Sequence, residues 1–112
     1  MRILVVGAGR VGAKILRQLK KNSRIEVLTV DPRKKPYAMQ EGIISHVNFQ
    51  EALTPFALER VIERAKPDLI LVTTTMEDLG LRNAPGIDLF VEALRRELAS
   101  IVELPVIGVA RL

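Results

Sequence analysis

Ile3-Leu4-Val5-Val6-Gly7-Ala8-Gly9-Arg10-Val11-Gly12 is the stretch that decides the fold. Four aliphatic residues run straight into three glycines spaced G-x-G-x-x-G. Val11, Ile15, Leu16 and Leu19 then recur at the three- and four-residue spacing of one helical face. Residues 2–6 therefore read as a strand, Gly7 as a sharp turn and residues 10–21 as a helix that the loop opens.

The pattern repeats outward. Residues 25–30 are a second strand, stopped by Asp31-Pro32. A short helix is expected over 36–41 and a short third strand over 43–48. Thr54-Pro55 is a helix start, with Thr as N-cap and Pro at the first helical position, where its missing N–H costs nothing. Leu58, Val61, Ile62 and Ala65 form that helix's apolar stripe, and Pro67 ends it. Residues 68–73 are a fourth strand. Ile87, Phe90, Val91, Leu94, Leu98 and Ile101 mark a last helix, and residues 106–109 a last strand. Alternation of this kind predicts an α/β fold, with a parallel sheet and helices on both faces. The expectation is a minimal, doubly wound Rossmann-type sheet of about five strands in the order 3-2-1-4-5. Its ligand crevice lies where the order reverses. All of residues 1–112 form one domain.

The loop's setting suggests its chemistry. It follows a strand, opens a helix, and is answered by an acidic residue, Asp31, at the end of the next strand. Gly7 permits the turn, Gly9 lets backbone N–H groups approach a pyrophosphate, and Gly12 brings the helix close to the sheet. The helix N-terminus attracts phosphate charge. Asp31 is placed to accept hydrogen bonds from adenosine ribose hydroxyls and to repel a 2′-phosphate, which favours NAD over NADP. Arg33, Lys34 and Lys35 weaken that preference without reversing it. A cap for the turn beside Pro32 is the plainer reading of Asp31. Arg10 reaches a phosphate or lies in solvent. Phe49, after Asn48 at the end of the third strand, stacks on adenine or belongs to the core. Thr73, Thr74 and Thr75 end the fourth strand at the crevice, as ribose or phosphate ligands or as ordinary strand-end threonines. The expected nucleotide-binding set is thus Gly7, Ala8, Gly9, Arg10, Val11, Gly12, Asp31, Pro32, Arg33, Asn48, Phe49, Thr73, Thr74 and Thr75. The ligand is NAD or NADH, with ATP, ADP or AMP as alternatives. The polar loop from Thr74 to Gly86, with Glu77, Asp78, Arg82 and Asn83, reads as a lid or partner surface.

The totals narrow the function classes. The chain has no cysteine, which removes thiolate metal sites, disulfides and cysteine nucleophiles. A cytoplasmic setting is expected. The first apolar run is too short for a signal peptide, and no stretch approaches a membrane span. The net charge is +4, with basic clusters at residues 20–24 and 33–35. Neither cluster is interleaved with aromatics, so solvated helix ends and loops are preferred to a nucleic-acid surface. The one histidine, His46, falls away from the crevice and reads as a surface or structural residue. No metal-spaced cluster or catalytic triad pattern is present, and the chain leaves no room for a substrate domain. No catalytic residue and no metal ligand is assigned.

At Ile3 to Val6, Gly7-Ala8-Gly9-Arg10-Val11-Gly12 and Val30-Asp31 the chain resembles the nucleotide-binding domain of potassium transport regulators, the RCK type, also called KTN or TrkA N-terminal. The likeness extends through Asp68-Leu-Ile-Leu-Val-Thr73 and covers about residues 1–75. It implies a homodimeric sensor that binds NAD(H), ATP or ADP at Gly7, Gly9, Gly12 and Asp31 and regulates a membrane transporter. The sixth strand and C-terminal ligand-binding domain usual in that family have no counterpart here. A non-catalytic nucleotide-binding module is therefore the favoured expectation. The alternative is the cofactor half of an NAD-dependent oxidoreductase completed by another chain. A homodimer is expected, because the last strand leaves an open edge and Leu89 and Ala93 lie beyond the main apolar face of the last helix.

Overall fold

In the computed structural model, which describes residues 1–74 and 87–109 (backbone alone for 87–91), four strands form one all-parallel sheet. The element order is β1 (Arg2–Val6), α1 (Arg10–Leu19), β2 (Glu26–Val30), α2 (Tyr37–Gln40), α3 (Pro55–Ala65), β3 (Leu69–Val72), α4 (Ile87–Ile101) and β4 (Val106–Gly108). The sheet order is β2-β1-β3-β4. The chain moves outward from β1 to β2, then crosses back to lay β3 on the other side of β1. The order therefore reverses between β1 and β3, whose carboxyl ends carry Gly7 and Thr73.

The unbroken apolar run of β1 contains a period-two division. Leu4 and Val6 join a cluster with Val30, Leu58, Val61, Ile70, Val72, Leu94 and Leu98, which places α3 and α4 on that face. Ile3 and Val5 join Ala13, Leu16, Ala38 and Ile44 beneath α1 and α2 on the other. Leu4, Val5 and Val6 are wholly buried. A strand buried on both faces has no place for a polar residue, so its sequence shows no alternation.

The helices end where local chemistry stops them. Gly9 is the N-cap of α1. Thr54 caps α3 by accepting from the Ala57 N–H at 3.3 Å, with Pro55 in the first turn. Its predicted stripe of Leu58, Val61, Ile62 and Ala65 is buried. Lys66 closes α3 in the left-handed conformation at φ 50, just before Pro67. The first helix ends at Leu19, short of the expected residue 21. Lys20 then caps it, and the Lys20 ammonium donates to the Ile43 carbonyl.

One expectation needs correction. Among the described residues the sheet has four strands and not the expected five in the order 3-2-1-4-5, because residues 43–48 do not form a strand. Only Phe49 bridges Val30, in parallel, on the outer side of β2. The cause is local. The N–H groups of Ile43 and Ile44 both turn back to the Ala38 carbonyl, at 2.9 and 3.3 Å. Asn48 presents its side chain where a strand would present its backbone, and its Oδ1 accepts the Thr29 N–H at 2.9 Å. Pairing along β2 is reduced to one residue. Among the described residues no helix is long and apolar enough to cross a membrane.

Candidate functional site

Gly7 turns the chain from β1 toward α1 at φ +99, a backbone region that glycine enters without steric cost. It has no room for a side chain either. A Cβ at Gly7 would lie 2.7 Å from the Thr74 Oγ1, and one at Gly12 would lie 2.2 Å from the Gly7 carbonyl oxygen. The second distance is the more restrictive, because its neighbour is backbone. Gly12 is what allows α1 to start against the end of β1. Gly9 caps the helix with no side chain of its own, and the first turn contains no acidic residue. No acidic residue within the first turn therefore offsets the positive end of the helix dipole.

Two supports hold the loop from behind. On the β2 side, Asp31 is completely buried. Its Oδ2 accepts the Ala8 N–H at 2.8 Å and the Arg33 Nη2 at 2.7 Å. Its Oδ1 accepts the Arg33 backbone N–H at 2.8 Å and Nε at 2.9 Å. A carboxylate has about four acceptor positions, and all of these are occupied. On the β3 side, the buried hydroxyls of Thr73 and Thr74 donate to β1 carbonyls. Thr73 Oγ1 reaches Gly7 at 2.8 Å and Val6 at 3.0 Å, and Thr74 Oγ1 reaches Val6 at 3.2 Å. The Gly7 N–H itself donates to the Val30 carbonyl at 2.8 Å, and the Ala8 carbonyl accepts from Ala38 at 3.0 Å. The loop is fixed on three sides before any ligand arrives.

The expected site residues divide accordingly. Gly7, Ala8, Gly9, Arg10, Val11 and Gly12 sit together at the carboxyl end of β1, with Asp31 hydrogen-bonded to them. Asp31 adopts the turn-capping geometry beside Pro32 and faces inward to Ala8. Pro32 is half-buried, and its carbonyl accepts from the Gln50 side chain at 3.4 Å. Thr73 and Thr74 stand behind the loop, and Thr75 lies outside the described residues, as do Glu77, Asp78, Arg82 and Asn83. Asn48 pairs with Thr29. Phe49 packs against the core, and the Arg64 guanidinium lies 5.3 Å from its ring centroid. His46 is exposed and contacts Ser45.

The structure also brings Lys14, Arg17 and Tyr37, which have no role in the sequence reading, together with Arg10. Arg10 reaches sideways over the Tyr37 ring, 5.3 Å from its centroid. With Lys14 and Arg17 it lines a cleft of about 210 Å³ between α1 and α2. The signal was present as cations at positions i, i+4 and i+7 of one helix. The partner element was not, because a four-residue helix has no periodicity to read. Tyr37 donates to Glu41 at 2.9 Å, and this bond, with the negative charge of Glu41, raises the phenol above its ordinary pKa. The chain matches none of the protein-family models and none of the curated proteins with which it was compared.

Proposed function

We propose that this chain is a non-catalytic module that binds an adenine nucleotide, NAD(H) foremost and ATP, ADP or AMP as alternatives, on the loop from Gly7 to Gly12. The observation that carries the reading is the rigid glycine turn at the carboxyl end of β1. It opens α1 with Gly9 as an N-cap that supplies no side-chain hydrogen bond, beside the point where the strand order reverses. Diphosphate groups bind such turns because backbone N–H groups and the helix dipole face them together. The likeness at Gly7 to Gly12 and Asp31 to the RCK type narrows the proposal to a regulator of potassium transport. Such a regulator works as a homodimer in the cytoplasm and answers to nucleotide. Ile107, 49% exposed on the edge strand β4, supports association through that edge.

Titration calorimetry with NAD, NADH, ATP and ADP tests the binding. At least one should bind with a micromolar to millimolar dissociation constant, and Gly9→Asp, which puts a carboxylate into the phosphate cradle, should abolish it. No binding of any of the four at millimolar concentration overturns the proposal. Light scattering tests the dimer, and a monomer at high concentration excludes it.

A further inference from the structure

We propose that Arg33, positioned by Asp31, sets the ribose specificity of the glycine loop and makes it tolerant of a 2′-phosphate. The site then accepts NADP-class as well as NAD-class dinucleotides. This rests on the loop being a dinucleotide site.

An acidic side chain at the end of the second strand normally selects an unphosphorylated ribose, because it accepts from the ribose hydroxyls and repels a 2′-phosphate. Here that carboxylate is neither exposed nor unoccupied. The Asp31 side chain has 0% exposure, whereas Arg33 keeps 35%. Oδ1 and Oδ2 accept four hydrogen bonds, from Ala8 N, Arg33 N, Arg33 Nε and Arg33 Nη2. A ligand approaching from the end of β2 meets the guanidinium before the carboxylate.

The arrangement is local and therefore pre-organised. Asp31 accepts from a backbone N–H two residues on, the geometry of an Asx turn. Pro32 between them fixes one backbone angle. That turn brings the Arg33 side chain back onto the same carboxylate as a planar fork, the arrangement that guanidinium and carboxylate favour. Burial also holds the pair together, because a buried carboxylate without its cation is costly. The opposite charges of the pair cancel at short range, which lessens the negative field that Asp31 would set against a 2′-phosphate. Lys34 and Lys35, both exposed, add positive charge to the same turn.

The test is calorimetric titration of the full chain with NAD and with NADP, repeated for Arg33→Ala and Arg33→Lys. In the native chain the two dissociation constants should lie within about tenfold of each other. Arg33→Ala should weaken NADP by at least ~10-fold while leaving NAD within about threefold, as loss of one cation facing a phosphate requires. Arg33→Lys keeps the charge but loses the fork, and should fall between. If Arg33→Ala does not fold, the native ratio and Arg33→Lys decide. A native preference for NAD of about 100-fold or more, or an unchanged ratio in a folded Arg33→Ala, overturns this inference and leaves the proposed function standing. If neither dinucleotide binds while AMP or ADP does, the site takes mononucleotides and the inference falls alone. If no nucleotide binds, both fall.

Discussion

At the carboxyl end of the sheet Arg33 forks onto Asp31, whose side chain has no exposed surface. At the amino end Arg2 meets Glu26 at 2.9 Å, and those side chains keep 38% and 57% of theirs. Both ends use an arginine held by a carboxylate. At the amino end the contacts are those of a surface seam. Arg2 also donates from Nη1 to the Ala65 carbonyl and from its backbone N–H to Asp68, which ties β1, β2, α3 and β3 where each begins or ends. Water can replace each of these groups. At the carboxyl end water cannot reach Asp31, so every acceptor position must be filled from within the protein. The same chemistry therefore closes a surface seam at one end and supports the glycine loop at the other.

The sharpest way to break the carboxyl end is through its glycines. Gly12→Ala places a methyl group 2.2 Å from a backbone oxygen, and that oxygen cannot move without shifting β1. The expected loss is about 3 kcal/mol or more, or failure to fold, since overpacking against backbone has no side-chain rotamer to relax into. Urea denaturation measures it, and a loss below about 1 kcal/mol would mean that the turn is looser than its geometry.

Asp31→Ala should come next. It leaves the buried Ala8 N–H without its acceptor and releases Arg33. The expected cost is about 2 to 3 kcal/mol, the range for a buried donor left unsatisfied beside a lost charged partner. Its counterpart at the amino end, Glu26→Ala, should cost less than about 1 kcal/mol, and less still in molar salt, because that pair is exposed. The two variants compared in low and high salt test the comparison directly. Equal losses would show that burial is not what separates the ends.

These contrasts also show how far the sequence could be read. The frame of the fold was legible because its signals are covalent and local. Apolar residues recur at helical spacing in α1 and α3, Thr54-Pro55 marks a helix start, and three glycines are spaced around one turn. The segment 43–48 misled because Ile44 and Val47 carry the apolar pattern of a strand yet pack beneath α2, while Asn48 substitutes a side chain for the ladder. At the site, Asp31 was identifiable by position but its orientation was not. An Asp-Pro-Arg run permits a carboxylate facing a ligand or one facing Ala8, and the choice depends on an N–H from a loop more than twenty residues away. Thr73 and Thr74 pose the same difficulty, since a hydroxyl at a strand end can face forward or back, and both donate back to β1.

A third carboxylate, 41% exposed and so between Asp31 and Glu26, allows the smallest effect to be worked out by sign. On α4, Glu92 accepts Arg95 Nε at 2.9 Å and Nη2 at 2.5 Å, a fork like that of Arg33, and accepts Arg96 Nε at 3.1 Å. The hydrogen bond from Arg95 is the main cause that lowers its pKa from 4.5 to about 2, and desolvation opposes it. Because the folded value lies below the ordinary one, any stability the group contributes is present above pH 4.5. It is lost as the pH falls from there through about 2. Solvent screens an exposed pair strongly, so the effect on melting temperature should be slight. The readable quantity is the titration itself. Carboxyl NMR should place the Glu92 midpoint near 2 in the native chain, and Arg95→Ala should return it toward 4.5. A midpoint already near 4.5 in the native chain would show that this fork, unlike the one on Asp31, does not persist when water competes for it.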